Sequence, residues 1–120
     1  MMPEFFKGRV VHGNKEGRLL GYPTANLPEL EPLPLLPGIY GGLGKVDGVE
    51  YIAAVVVKPG ASHIEAHLLE LYQNIYGKEL ELTVDEFIRP WQEFSDLEAL
   101  KAQIQKDVNI IKLKKGGIIL

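Results

Sequence analysis

The 120 residues carry 13 Lys+Arg against 16 Asp+Glu, a formal net charge of −3, with 46% apolar residues, 24% charged residues and no cysteine. Such values describe one globular domain with a real core, and they exclude disorder, a disulfide framework and thiolate chemistry. The acidic balance also argues against a nucleic-acid scaffold, whose affinity comes from neutralising phosphates with basic side chains.

The N-terminus Met1-Met2-Pro3-Glu4-Phe5-Phe6-Lys7 has no basic segment followed by an apolar run, so no signal peptide is visible. Residues 52–57 form the longest purely apolar run, far below the roughly 20 residues that cross a bilayer. The expectation is a soluble, cytoplasmic, single domain over residues 1–120, favoured as a monomer, with no nucleic-acid or membrane partner.

Residues 5–11, Phe-Phe-Lys-Gly-Arg-Val-Val, read as a strand that runs into a polar, turn-rich stretch at residues 12–18. Prolines 23, 28, 32, 34 and 37 forbid helix interior and central strand, which predicts an extended, rigid loop. Beyond it, residues 39–46 and 49–57 are two strand-like runs around Asp47-Gly48, the dipeptide preferred by a type I′ hairpin turn. The second run is apolar on both faces at residues 52–57, as in a strand buried in a barrel or between layers. Gly41-Gly42-Leu43-Gly44 lacks the third glycine of a dinucleotide fingerprint and reads as a barrel bend or bulge.

Two alternating strands follow. Ile64, Ala66 and Leu68 face one way and His63, Glu65 and His67 the other; Leu80, Leu82 and Val84 alternate with Glu79, Glu81 and Thr83. Strands at this spacing without intervening helices predict an antiparallel sheet closed as a barrel, over about residues 5–92. The period then changes. Ser95-Asp96-Leu97-Glu98 reads as a capping box with Ser95 as N-cap, and Leu97, Leu100, Ile104, Val108 and Ile111 share one helical face. A helix over about residues 95–114 is predicted, stopped by Gly116-Gly117, with a short tail at residues 115–120.

Three constellations carry possible chemistry. His63-x-Glu65-x-His67 offers two imidazoles and a carboxylate on one strand face, a ligand set for a metal-binding β-barrel. Positions i and i+2 are about 7 Å apart on a strand, long for ligands of one ion, and the same pattern fits polar residues on the wetter face. In Gly17-Arg18-Leu19-Leu20-Gly21-Tyr22-Pro23-Thr24-Ala25-Asn26-Leu27, Gly21 and Pro23 fix an unusual backbone path. An extended segment there points the Thr24 hydroxyl and the Asn26 carbonyl the same way. Both are hard neutral oxygens suited to Mg²⁺, although an Asn/Thr turn bonding its own backbone explains them equally. Gly13, Gly17 and Arg18 upstream offer backbone amides and a guanidinium to phosphates.

Residues 17–27 closely resemble the signature loop of the riboflavin kinases (ATP:riboflavin 5′-phosphotransferases). The similarity continues through Pro37-Gly38-Ile39-Tyr40, Ile64-Glu65-Ala66-His67-Leu68-Leu69, Ile75-Tyr76-Gly77-Lys78-Glu79-Leu80, and Phe87-Ile88-Arg89-Pro90. Phe94-Ser95, Leu100, Gln103-Ile104 and Asp107 extend it, so that it spans about residues 8–108. The resemblance implies a six-stranded antiparallel Greek-key barrel with a C-terminal helix. It implies Mg²⁺ held by Thr24 and Asn26 with the phosphates of ATP, and Glu65 as general base for the ribityl 5′-hydroxyl of riboflavin, giving FMN and ADP. Pro23 belongs to the same ligand loop, and Arg89 would serve the flavin or the Glu65 carboxylate. Tyr76 and Trp91 are candidates for the isoalloxazine or for packing at the barrel rim.

The chain departs from the family at Lys58-Pro59-Gly60-Ala61-Ser62, a loop shorter than usual. This shortening predicts weaker closure over the ligands, and a flavin- or nucleotide-binding barrel with little turnover is the second reading. Many bacterial members carry an N-terminal adenylyltransferase that makes FAD, for which this sequence has no room, so the expected product stops at FMN.

Overall fold

The computed structural model describes residues 2–11, 24–27, 34–71 and 73–116. They form strands β1 (Glu4–Arg9), β2 (Thr24–Leu27), β3 (Gly38–Val46), β4 (Val49–Val57), β5 (Ile64–Leu68) and β6 (Glu79–Pro90), followed by helix α1 (Leu97–Gly116). The strand order is β1-β6-β3-β4-β5-β2, with every pair antiparallel. Because β6 returns to lie beside β3, strands β3 to β6 make a Greek key. The sheet's two ends approach each other. The Val11 amide donates to the Asn26 carbonyl at 3.0 Å, and the Gly8 backbone packs on Leu27. The result is the expected six-stranded barrel, nearly closed, which hides the edges that an open sheet exposes.

Local chemistry explains the bends. Asp47 and Gly48 both have positive φ, 52° and 78°, as a type I′ turn requires, and every residue of β3 pairs with one of β4 across it. The β3–β6 register shifts between Gly41 and Gly42, so this glycine run is the anticipated bulge. A Cβ on Gly42 would sit 1.9 Å from the Thr83 carbonyl oxygen, so no larger residue fits without moving backbone.

One expectation fails in the proline-rich stretch. Residues 24–27 are not loop but strand β2, paired in register with β5. Pro23 and Pro28 flank this four-residue segment, and among the described residues its outer edge is bridged by Val11. Proline is tolerated at the ends of such an edge strand.

The barrel interior is filled by alternate residues, among them Ala25, Leu27, Val55, Val57, Ile64, Ala66, Leu68, Leu80, Leu82 and Val84. A second, smaller core lies outside the barrel, where Ile39, Ala54 and Ile111 meet Ile52, Val56 and Ile88. This arrangement accounts for the two-sided apolarity of β4, one face lining the barrel and the other lying under α1. Gly41 makes the close approach possible, because the Ile111 side chain rests against its backbone.

The helix starts one residue later than the sequence pattern indicates. Asp96, not Ser95, is the N-cap. Its Oδ1 accepts from the amides of Glu98 at 2.8 Å and Ala99 at 3.3 Å, the bonds that satisfy orphan donors in a first turn. Leu97, placed on the buried face by periodicity, is 50% exposed, whereas Val108 and Ile111 are buried as expected. Near the other end Lys115 pairs with Asp85 of β6.

Candidate active site

A cavity opens between the outer face of the barrel and α1. It is lined by Ile39, Ala54 and Val56 from the sheet, Leu100, Ile104 and Val108 from the helix, and Trp91 and Phe94 from the segment between. Lys58, Glu65, His67, Arg89 and Asp107 supply its polar atoms. A mostly apolar recess with few, convergent polar groups is the usual form of a small-molecule site.

Strand register explains how distant residues reach it. Arg89 lies opposite Ile39, Ile39 opposite Val56, Val56 opposite Glu65 and Glu65 opposite Asn26. These five residues form one rung across β6, β3, β4, β5 and β2. At the usual strand spacing the rung runs about 19 Å along the sheet. Its Arg89 end is flanked by aromatic and aliphatic side chains. The Glu65 and Asn26 end is polar, and directly opposed residues of an antiparallel pair have Cβ atoms only about 5 Å apart.

Glu65 is only 3% exposed, which corrects its assignment to the wetter face of its strand. Lys58 Nζ lies 3.8 Å from Glu65 Oε2. Asn26 is also buried, and among the described residues neither its Oδ1 nor its Nδ2 has a hydrogen-bond partner. Leaving such atoms unsatisfied costs about 1–3 kcal/mol each, so this amide is a candidate to bind a partner outside the described residues. Thr24 opens the same strand two positions earlier, opposite His67. Gly13, Gly17, Arg18 and Pro23 lie outside the described residues.

Arg89 does not pair with Glu65. Its Nε donates to both carboxylate oxygens of Asp107 at 3.0 and 3.1 Å, and an Nη donates to Oδ2 at 2.8 Å. Gln103 Nε2 donates to Asp107 Oδ1 at 3.0 Å, and the guanidinium carbon lies 5.8 Å from the centre of the Phe94 ring. This bidentate geometry is the strong form of an ion pair, and it fastens α1 to β6 at the apolar end of the cavity. Sequence reasoning passed over Asp107 as a structural tie, although one charge within the apolar stripe of 100, 104, 108 and 111 was the available signal.

Of the two aromatic candidates, Trp91 lines the cavity, whereas Tyr76 packs against the barrel core. His63 precedes β5 rather than lying within it. Among the described residues no group of three His, Asp or Glu side chains has the arrangement of a metal site.

The riboflavin kinase family profile matches residues 1–114. The chain belongs to the riboflavin kinase family. The riboflavin kinase region of the bifunctional riboflavin kinase/FMN adenylyltransferase of Escherichia coli K12 is among its relatives, 37% identical over 112 residues that cover 88% of this chain and 36% of that protein. The chain thus spans about a third of the length of the curated relatives it matches. The riboflavin kinase of Trypanosoma brucei has a similar structure, with a TM-score of 0.75 and 28% identity over 96% of this chain and 82% of that one. A Streptococcus pneumoniae structure described as a macrolide-efflux protein superposes with a TM-score of 0.77 and 27% identity, covering 92% of this chain and 37% of that one.

Proposed function

We propose that this riboflavin kinase family domain transfers the γ-phosphoryl group of ATP to the 5′-hydroxyl of riboflavin, giving FMN and ADP. The observation that carries the reading is the polar end of the rung, where Glu65 lies opposite Asn26 beside an apolar cavity. An isoalloxazine fits the aromatic end near Trp91 and Phe94, and the ribityl chain then runs toward Glu65.

Phosphoryl transfer asks a protein mainly for positioning and charge neutralisation, with a proton acceptor at the nucleophile. Glu65 takes the proton of the attacking hydroxyl. The orphaned Asn26 amide suits magnesium-bound phosphates twice over, its oxygen as a hard ligand and its NH₂ as a donor to a phosphate oxygen. Asn26 and Thr24 are therefore the residues that would hold Mg²⁺, which would supply charge neutralisation to the nucleotide phosphates. Gly13, Gly17, Arg18 and Pro23 are assigned to the nucleotide side of the same loop. Arg89 orients the flavin-side wall through Asp107 rather than acting on Glu65.

A cytoplasmic, monomeric setting completes the proposal. The cysteine-free sequence suits a reducing compartment, and among the described residues no helix is long and apolar enough to cross a membrane.

The test is FMN formation from riboflavin with ATP and Mg²⁺, for the wild type and Glu65→Gln, with CTP as an alternative donor. FMN from the wild type and a loss of about 100-fold in the variant match the usual contribution of a general base. Riboflavin binding without FMN from either donor overturns the reading in favour of a binding barrel.

A further inference from the structure

The short segment at residues 58–62 has a definite shape. The Ala61 amide donates to the Lys58 carbonyl at 3.2 Å, and Gly60 has a φ of 73°. Proline at the second position and a left-handed glycine at the third are the sequence and backbone of a type II turn. Both residues restrict the chain in advance, so the backbone of Lys58 is fixed directly after the end of β4. Its side chain reaches the cavity, with Nζ 3.8 Å from the nearly buried Glu65 carboxylate and about a third of the side chain still exposed. Arg89, the other Lys or Arg among the described residues that line this cavity, is fastened to Asp107 at the opposite end of the rung.

Resting on the kinase reading above, we infer that Lys58 is a catalytic residue whose ammonium contacts the phosphoryl group during transfer. A hydroxyl hydrogen-bonded to Glu65 lies about 3 Å from the carboxylate, and the phosphorus it attacks lies about 3–3.5 Å farther on. A cation already beside that carboxylate is within reach of the equatorial phosphoryl oxygens. In the step, the 5′-oxygen forms a bond to the γ-phosphorus and the bond from that phosphorus to the β,γ-bridging oxygen breaks. The electron pair leaves on ADP, the hydroxyl proton passes to Glu65, and Lys58 remains protonated throughout. Its charge opposes the negative charge on the transferring oxygens, in a recess where such stabilisation outweighs its value in water. The shortened loop therefore replaces a broad cover with one pre-positioned cation.

Lys58→Met and Lys58→Arg, in the full chain, test this at saturating ATP and Mg²⁺ with riboflavin varied. Lys58→Met keeps an apolar stem and removes the charge. The expected result is a fall in kcat of about 100-fold, the usual effect of deleting one transition-state donor, with KM for riboflavin changed less than about twofold. Lys58→Arg should recover at least about a tenth of the lost rate with a urea midpoint near the wild type. Lys58→Met should lower the midpoint, because it takes a cation from the nearly buried Glu65 carboxylate. The rescue by arginine and the kcat-against-KM split separate the catalytic role from that loss of stability. An unchanged kcat in Lys58→Met, or an arginine variant no better than methionine, overturns the inference while leaving the kinase reading intact. Absence of FMN formation by the wild type overturns both.

Discussion

Trp91 is the chain's single tryptophan, and its ring lines the cavity while its indole N–H donates to Glu93 Oε1 at 2.9 Å. A flavin bound against this wall stacks near a lone fluorophore, so titrating riboflavin into the protein should quench tryptophan emission to a saturating limit. Trp91→Ala should weaken riboflavin binding about three- to tenfold, the equivalent of one aromatic contact. Unaltered emission at saturating riboflavin would move the flavin elsewhere. At this scale the sequence was partly legible. Asn26 stood out because its type and its spacing from Thr24 suit Mg²⁺, and Glu65 because the resemblance to the riboflavin kinases singles it out. Their burial did not, because alternation along β5 says which residues share a face but not what covers it. Lys58 was passed over as part of a missing lid, yet Pro59-Gly60 already signalled a rigid turn.

Helix α1 is joined to the barrel by apolar packing of Val108 and Ile111 and by the Arg89–Asp107 pair, whose side chains are 16% and 5% exposed. Removing one partner strands the other in a poorly solvated place. Asp107→Ala should therefore cost about 3 kcal/mol, measured as a lower urea midpoint, and should also weaken riboflavin binding because the wall of the cavity loosens. A midpoint equal to the wild type would show that the helix is held without this pair. The helix and the β3–β4 hairpin were readable because each rests on a long period or a strong turn signal. β2 was not, because a four-residue strand between prolines has too little periodicity to outweigh its breakers. Its pairing with β5 is a tertiary fact. The cap was misplaced by one residue for a related reason, since Ser95 and Asp96 are both good N-caps and only the helix geometry selects one.

For the whole molecule, the location of the cavity has a thermodynamic consequence. A ligand held between the barrel and α1 binds only the folded arrangement. Riboflavin at 100 times its Kd should add about 2.7 kcal/mol of stability, which for a chain of this size is a rise in Tm of about 10 °C. A melting scan with and without riboflavin measures it, and an unmoved Tm would place the ligand outside this seam. The barrel class itself was readable from strand spacing and glycine punctuation. The rung that gathers Arg89, Glu65 and Asn26 was not, because register between strands distant in sequence leaves no mark on local pattern.

The pairing of β6 with both β1 and β3 also governs how the molecule is made. Glu4 lies opposite Val84, so β1 waits for a partner some eighty residues downstream. At ribosomal speeds of about 5–20 residues per second, that is a wait of several seconds or more. Once β3 has been made it too has one bare edge until β6 arrives, and such edges are where nascent chains pair with the wrong neighbour. Slow but complete refolding in dilute solution and loss to aggregates at high expression are compatible outcomes of this single topological choice, and cooling the culture should favour the barrel over the aggregate.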